Sequence, residues 1–253
     1  MTPHRPLRSL GLGLGLGLAL AGLATAALVG CGPSAEPVAS PSASPSVSAS
    51  PEPSGSAEPS PTPEPTRPAL AELELSTDGL GLLALGQAPD TDPATRMVAF
   101  EEGACVSAEF GIAPGDPGAD LWRTDAAYTS STPAYGPGTA FGVGVDRDSG
   151  LVTRIDLYSS DIPTDAGVRI GDSRADVDAA YPDATVYPQS LTDIHVISGA
   201  NGLLQIEVAR NDPMLGDYWG DQVNTVVYIH AVAPELGVFT VAASGNLVGV
   251  CGA

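Results

Sequence analysis

The chain has 253 residues, with 30 acidic against 10 basic side chains and a formal charge of −20 at pH 7. So acidic a balance argues against nucleic acid as a partner, since phosphates need a basic face, and against direct adhesion to anionic lipid head groups. It suits a soluble surface. Every basic residue is arginine, and the lack of lysine beside abundant Ala, Gly and Pro points to a GC-rich genome, a hint about the host and not about activity.

His4, Arg5 and Arg8 precede an uncharged stretch from Leu10 to Gly30, and Cys31 follows directly. Basic, then apolar, then small is the order of a secretory signal peptide, placed here at residues 1–30. Leu28-Val29-Gly30-Cys31 is similar to the lipobox of bacterial lipoproteins. That resemblance implies cleavage before Cys31 and acylation of its thiol and new amino group. A retained transmembrane helix of about 20 residues is the competing reading, and simple secretion a third. The Gly-Leu alternation from Gly11 to Leu18 is poor helix material, however. Two or more acyl chains make a stable anchor where one does not, so the expected location is the extracytoplasmic face of the cell membrane.

Residues 31–68 are a different material, built of Pro, Ser, Ala, Glu and Thr without an aromatic side chain. Such a segment cannot bury enough apolar surface to offset the entropy of ordering. Its prolines favour extended polyproline II at about 3.1 Å per residue, a reach on the order of 100 Å. It reads as a stalk, and its Ser/Thr/Pro content is also that of O-glycosylated stalks.

The remainder, 69–253, is long enough for a sizeable core and reads as one unit repeated, 69–162 and 163–253. Thr77–Ala88 and Thr164–Ser173 share the shape Thr-Asp, apolar run, Gly, polar, small. Each is followed by two runs with the period-2 alternation of half-buried strands. These are Ala140–Val145 and Leu151–Tyr158 around Asp146–Gly150 in the first unit, and Leu203–Val208 and Thr225–Val232 in the second. A helix is signalled after Ser173, which caps while Asp176 answers as in a capping box; Val177, Ala180 and Tyr181 form its apolar face and Pro182 stops it. The matching helix of the first unit is expected late, over Ala94–Phe100.

A Gly-plus-polar-small turn, a short helix with an apolar i, i+4 pair and a strand meander resembles the repeat of beta-lactamase inhibitory protein. It is also similar to small outer-membrane assembly lipoproteins of the BamE/SmpA type. Tandem copies behind a lipobox and a Pro/Ser stalk resemble lipoproteins of high-GC Gram-positive bacteria. The resemblance implies an α+β fold of two tandem repeats, each a short helix plus an antiparallel meander, with helices on one face of the sheet, and a role in binding protein partners. It carries over no functional residue.

With Cys31 taken by lipid, Cys105 and Cys251 are the one pair available for a disulfide outside the cytoplasm; two buried free thiols are the alternative. No metal or cofactor is expected. Asp146-Arg147-Asp148-Ser149-Gly150 starts like a calcium loop, but the twelfth position holds Leu157 where a Glu is needed. His195 and His230 lie in apolar strands and read as packed or edge-strand histidines rather than as a general base. No Gly-x-Ser-x-Gly elbow and no His-Glu-x-x-His occurs, so the chain is not expected to be an enzyme. Two stretches hold more apolar surface than a connection needs: Asn211–Gly220, with Met214, Leu215, Tyr218 and Trp219, and Leu121–Pro137, with Trp122, Tyr128 and Tyr135. Aromatics among adaptable polar neighbours suit interface hot spots; the competing reading folds Trp219 and Trp122 inward as lids. The expected function is a protein-binding or inhibitory module on a membrane-anchored stalk. The alternatives are an envelope-maintenance lipoprotein without a defined ligand and, behind it, a cell-envelope hydrolase.

Overall fold

Strand alternation dominates the computed structural model, which describes residues 66–252, all within the unit Ser60–Ala253. Short pieces come first: β1 (Leu75–Ser76), β2 (Gly79–Leu80) and β3 (Leu83–Ala84) form a small antiparallel sheet. β4 (Val98–Glu101) and β5 (Leu121–Thr124) pair as a two-stranded ribbon. The longer strands β6 (Phe141–Val145) and β7 (Val152–Leu157) make a hairpin. After α1 (Arg174–Ala180) come β8 (Thr185–Pro188), β9 (Thr192–Ser198), β10 (Leu203–Ala209) and β11 (Val226–Val232). These last four strands join the hairpin in one antiparallel sheet of order β6-β7-β11-β10-β9-β8.

The expected tandem α+β architecture is therefore overturned: the chain is mostly β, with a single α-helix among the described residues. The helix expected at Ala94–Phe100 is absent because Val98–Glu101 pairs with Leu121–Thr124, and cross-strand partners such as Phe100 opposite Trp122 outweigh local propensity. The segments Thr77–Ala88 and Thr164–Ser173 do not repeat a structure either; the first folds as β2 and β3, the second as turns, and a parallel bridge joins Leu75 to Thr164. The two expected strand pairs do form, as β6–β7 and β10–β11. They merge edge to edge, β7 against β11 with Ile155 opposite Ala231, so that one sheet takes strands from both sides of the 162/163 boundary.

The helix α1 forms where its caps place it. Ser173 Oγ accepts the Asp176 N–H and Asp176 Oδ2 accepts the Ser173 N–H at 2.9 Å, closing a capping box. Its Val177 is buried against one face of the sheet with Ile155, Leu157, Leu204, Ile206, Ile229 and Ala231, together with Leu75, Leu80 and Leu83 from the small sheet. Each of the Val, Leu and Ile side chains among them contributes roughly 1.5–3 kcal/mol on burial.

The other face of the same strands is covered as well. Residues 237–252 run back across it without regular structure, and Cys251 reaches Cys105, to which it is disulfide-bonded with a Cα–Cα distance of 5.2 Å. Cys31, the signal peptide and most of the stalk lie outside the described residues.

Candidate functional site

The loop Asn211–Gly220 between β10 and β11 is held from within. Asp212 takes the Met214 N–H on its carboxylate at 2.7 Å, and its carbonyl takes the N–H groups of Leu215 and Gly216. Asn211 Nδ2 donates to Asp217 at 3.1 Å, and the Trp219 indole donates to the Leu191 carbonyl at 2.6 Å. Trp219 is half-buried, with the Tyr218 ring edge-on to it at 4.8 Å. Met214 is 92% exposed, and Leu215 and Tyr218 are each 55% exposed. Trp219 is thus the anchor of the loop, and Met214, Leu215 and Tyr218 are what it displays.

Trp122 is placed elsewhere, on β5, half-buried against the core with the Phe100 ring across the ribbon at 5.5 Å. Beside the pair is a cavity of about 500 Å³ walled by Asp120, Val145, Asp146 and Arg147. The loop contributes no residue to its lining. Asp146 itself is occupied locally, its carboxylate accepting the N–H and hydroxyl of Ser149, which lowers its pKa.

Of the third feature, only His230 stood out in the sequence. On the covered face, Arg154 and Asp156 of β7 form a bidentate ion pair, both bonds 2.7 Å. The Tyr228 hydroxyl donates to Asp156 at 2.9 Å. Gln205 and Glu207 of β10 stand opposite His230 and Tyr228 of β11 in the ladder, and Thr192 donates to Glu207 at 2.9 Å. All of these groups are buried. Alternation alone assigns these positions to the solvent side of half-buried strands; the returning C-terminal segment, with Tyr135 beside it, buries them, and no period or motif in 237–252 announces that it does.

Burial sets the electrostatics of this layer. It raises the Asp156 and Glu207 carboxyls above the ordinary range, against the pull of Arg154 on the first and of the Val241 and Ala242 N–H groups on the second. Burial, with Glu207 and Tyr218 adding to it, pushes the Tyr135 hydroxyl up to about 12, and Tyr135 packs edge-on to Tyr228 at 5.0 Å. His230 is held well below 6.5, first by burial and then by Arg154, so it is neutral in the folded protein. Its two ring nitrogens have no hydrogen-bond partner among the described residues.

A pH dependence follows from His230. Below about pH 6.5 the unfolded chain binds a proton that the folded chain refuses, so stability is fully present above that pH and falls as the pH drops, by up to about 1.4 kcal/mol per pH unit. Asp156 and Glu207 face it and act in the opposite sense, taking protons in the folded state first. The comparison of wild type with His230→Phe, which keeps a ring on Phe239, isolates the histidine. Urea melts between pH 7.5 and 5 are expected to fall more steeply in the wild type; equal slopes would assign the titration to other groups.

No family model matches the sequence, and no curated protein matches it. Among solved structures, the crystal structure of the uncharacterised protein YfeY from Escherichia coli aligns with 63% of this chain and 99% of that one, at 18% identity and a TM-score of 0.36. That likeness carries no argument here.

Proposed function

We propose that this chain is an extracytoplasmic lipoprotein, attached to the cell membrane through acylated Cys31, which presents a protein-binding module on the stalk of residues 31–68. The observation that carries the binding role is the loop Asn211–Gly220: an internally bonded loop that turns Met214, Leu215 and Tyr218 outward while Trp219 ties its base to Leu191. Loops fixed on a rigid sheet are where binding residues concentrate, and exposed apolar and aromatic side chains among acids are what an interface uses.

The test is capture from detergent-solubilised membranes with wild-type protein and with the Met214→Ala/Tyr218→Ala double variant. One stoichiometric protein is expected with the wild type, its affinity reduced by about 2 kcal/mol or more in the variant. Denaturant midpoints of the two should agree within about 0.5 kcal/mol, since both side chains are exposed. A partner retained equally by the variant would remove the loop from the interface. In the same cells Cys31→Ser should leave the protein unacylated and released from the membrane; an intact mass equal to the unmodified chain from Met1 would reject the anchor.

A further inference from the structure

Five side chains on the covered face hold the C-terminal segment, and every hydrogen bond they make to it goes to a main-chain atom. Gln205 uses both ends of its amide, donating to the Gly237 carbonyl at 2.8 Å and accepting the Phe239 N–H at 3.3 Å. Glu207 accepts two successive N–H groups, Val241 at 2.6 Å and Ala242 at 3.1 Å. Arg154 donates to the Asn246 carbonyl at 2.7 Å, Tyr158 to the Val248 carbonyl, and Asp156 accepts the Val248 N–H at 3.4 Å. Main-chain groups are the part of a peptide that any sequence without proline can offer. One side-chain pocket adds selectivity: the Phe239 ring stacks on His230, centroids 5.1 Å apart, with the Arg154 guanidinium 5.1 Å from its centre. At the far end, β6 carries glycine at 142 and 144, and a Cβ at Gly142 would run into the Val248 carbonyl.

The chemistry of the face distinguishes this cover from a core layer. Lifting it would uncover the rings of Tyr158 and Tyr228 but also a carboxylate, an ion pair, an amide and hydroxyls, which water can satisfy, whereas the opposite face of the same strands is packed with Ile155, Leu157, Leu204, Ile206, Ile229 and Ala231. A cover over polar groups is a candidate for local opening short of global unfolding. The segment is also an incomplete match, since it buries His230 without giving either ring nitrogen a partner among the described residues.

We infer that this face of β7, β10 and β11 is a binding site for an extended peptide with an aromatic residue at the place of Phe239, occupied in this structure by the chain's own residues 237–248. The Cys105–Cys251 bond, just past the end of that segment, holds the internal occupant at high effective concentration and keeps the site shut. No residue of loop 211–220 makes one of the hydrogen bonds that hold the segment, so this inference and the loop's proposed role are tested by different variants.

The experiment uses the full chain as wild type and as the Cys105→Ser/Cys251→Ser double variant, with a fluorescein-labelled peptide of the sequence of residues 237–250 as probe. Saturable binding is expected for the double variant and at least tenfold weaker binding for the oxidised wild type. The same peptide with alanine for its phenylalanine should bind at least tenfold more weakly than the probe, and a scrambled peptide likewise. Absence of binding to the double variant, or equal binding of the scrambled peptide, would overturn the inference. Should the double variant fail to fold, hydrogen exchange on the wild type decides: the amides of Phe239, Val241, Ala242 and Val248 are expected to exchange at least tenfold faster than those of β9–β11 after addition of dithiothreitol. Exchange of the segment and the sheet at one common rate would make the segment a fixed wall of the core and reject the site.

Discussion

Replacement of Asp156 by alanine is expected to lower the free energy of unfolding by about 3–5 kcal/mol, the cost of leaving one member of a buried ion pair uncompensated. The carboxylate is wholly buried and the Arg154 side chain is 6% exposed, so water cannot replace the lost partner without local opening. The damage spreads, because Tyr228 and the Val248 N–H also give up their acceptor. A second variant separates the charge from the rest: Arg154→Met/Asp156→Leu removes both charges, and apolar replacements of buried pairs are often neutral or stabilising. It should recover a good part of the loss, but not all, since the hydroxyl of Tyr228 remains orphaned. Urea melts of the three proteins at pH 7 check this. A loss below about 1 kcal/mol for Asp156→Ala would show that the pair behaves like a surface one.

How much of this was legible in the sequence depends on how local each cause is. The helix α1 was readable because Ser173, Asp176 and Pro182 act within one turn of their own positions. The hairpins were readable because alternation such as Leu204-Gln205-Ile206-Glu207-Val208 needs no partner to identify it. The disulfide was reached by elimination, with Cys31 set aside and one pair left. What failed was non-local. Val98–Glu101 looks like the end of a helix until Leu121–Thr124 lies beside it, and the likeness between Thr77–Ala88 and Thr164–Ser173 is one of composition without a shared backbone path.

The candidate site divides in the same way. Met214, Leu215 and Tyr218 were singled out as apolar surface in a connection, and they are exposed. Trp219 was grouped with them, yet its indole N–H is committed to Leu191; a single tryptophan symbol does not say whether the ring faces out or ties down the loop. Of the buried polar layer only His230 was read as a side chain packed in, or at the edge of, an apolar strand, and it is buried. Arg154, Asp156, Gln205 and Glu207 occupy the positions that a two-faced sheet gives to solvent, and their burial comes from residues 237–252 and Tyr135, about which the strands themselves carry no sign.

Loss of the Cys105–Cys251 bond is expected to have the other large effect. The bond closes a loop with a sequence separation of 146, and in the chain-entropy picture a loop of that length restricts the unfolded chain by up to about 5 kcal/mol. Loss of a native disulfide from a small secreted domain commonly costs about 2–5 kcal/mol, and the Cys105→Ser/Cys251→Ser variant should fall in that range. The variant should also differ in kind. In the wild type the segment 237–252 is fastened to the β4–β5 side of the domain and must unfold with it. In the variant only the hydrogen bonds to Arg154, Asp156, Tyr158, Gln205 and Glu207 and the packing around Phe239 and Val241 hold it down. If the segment leaves first, the main transition exposes less surface and its denaturant slope falls along with its midpoint. A lowered midpoint with an unchanged slope would mean that segment and sheet still unfold as one unit, and an unchanged midpoint would mean that the two thiols are not joined in the folded protein. Non-reducing peptide mapping of the wild type, with Cys105 and Cys251 in one fragment, fixes the starting point for that comparison.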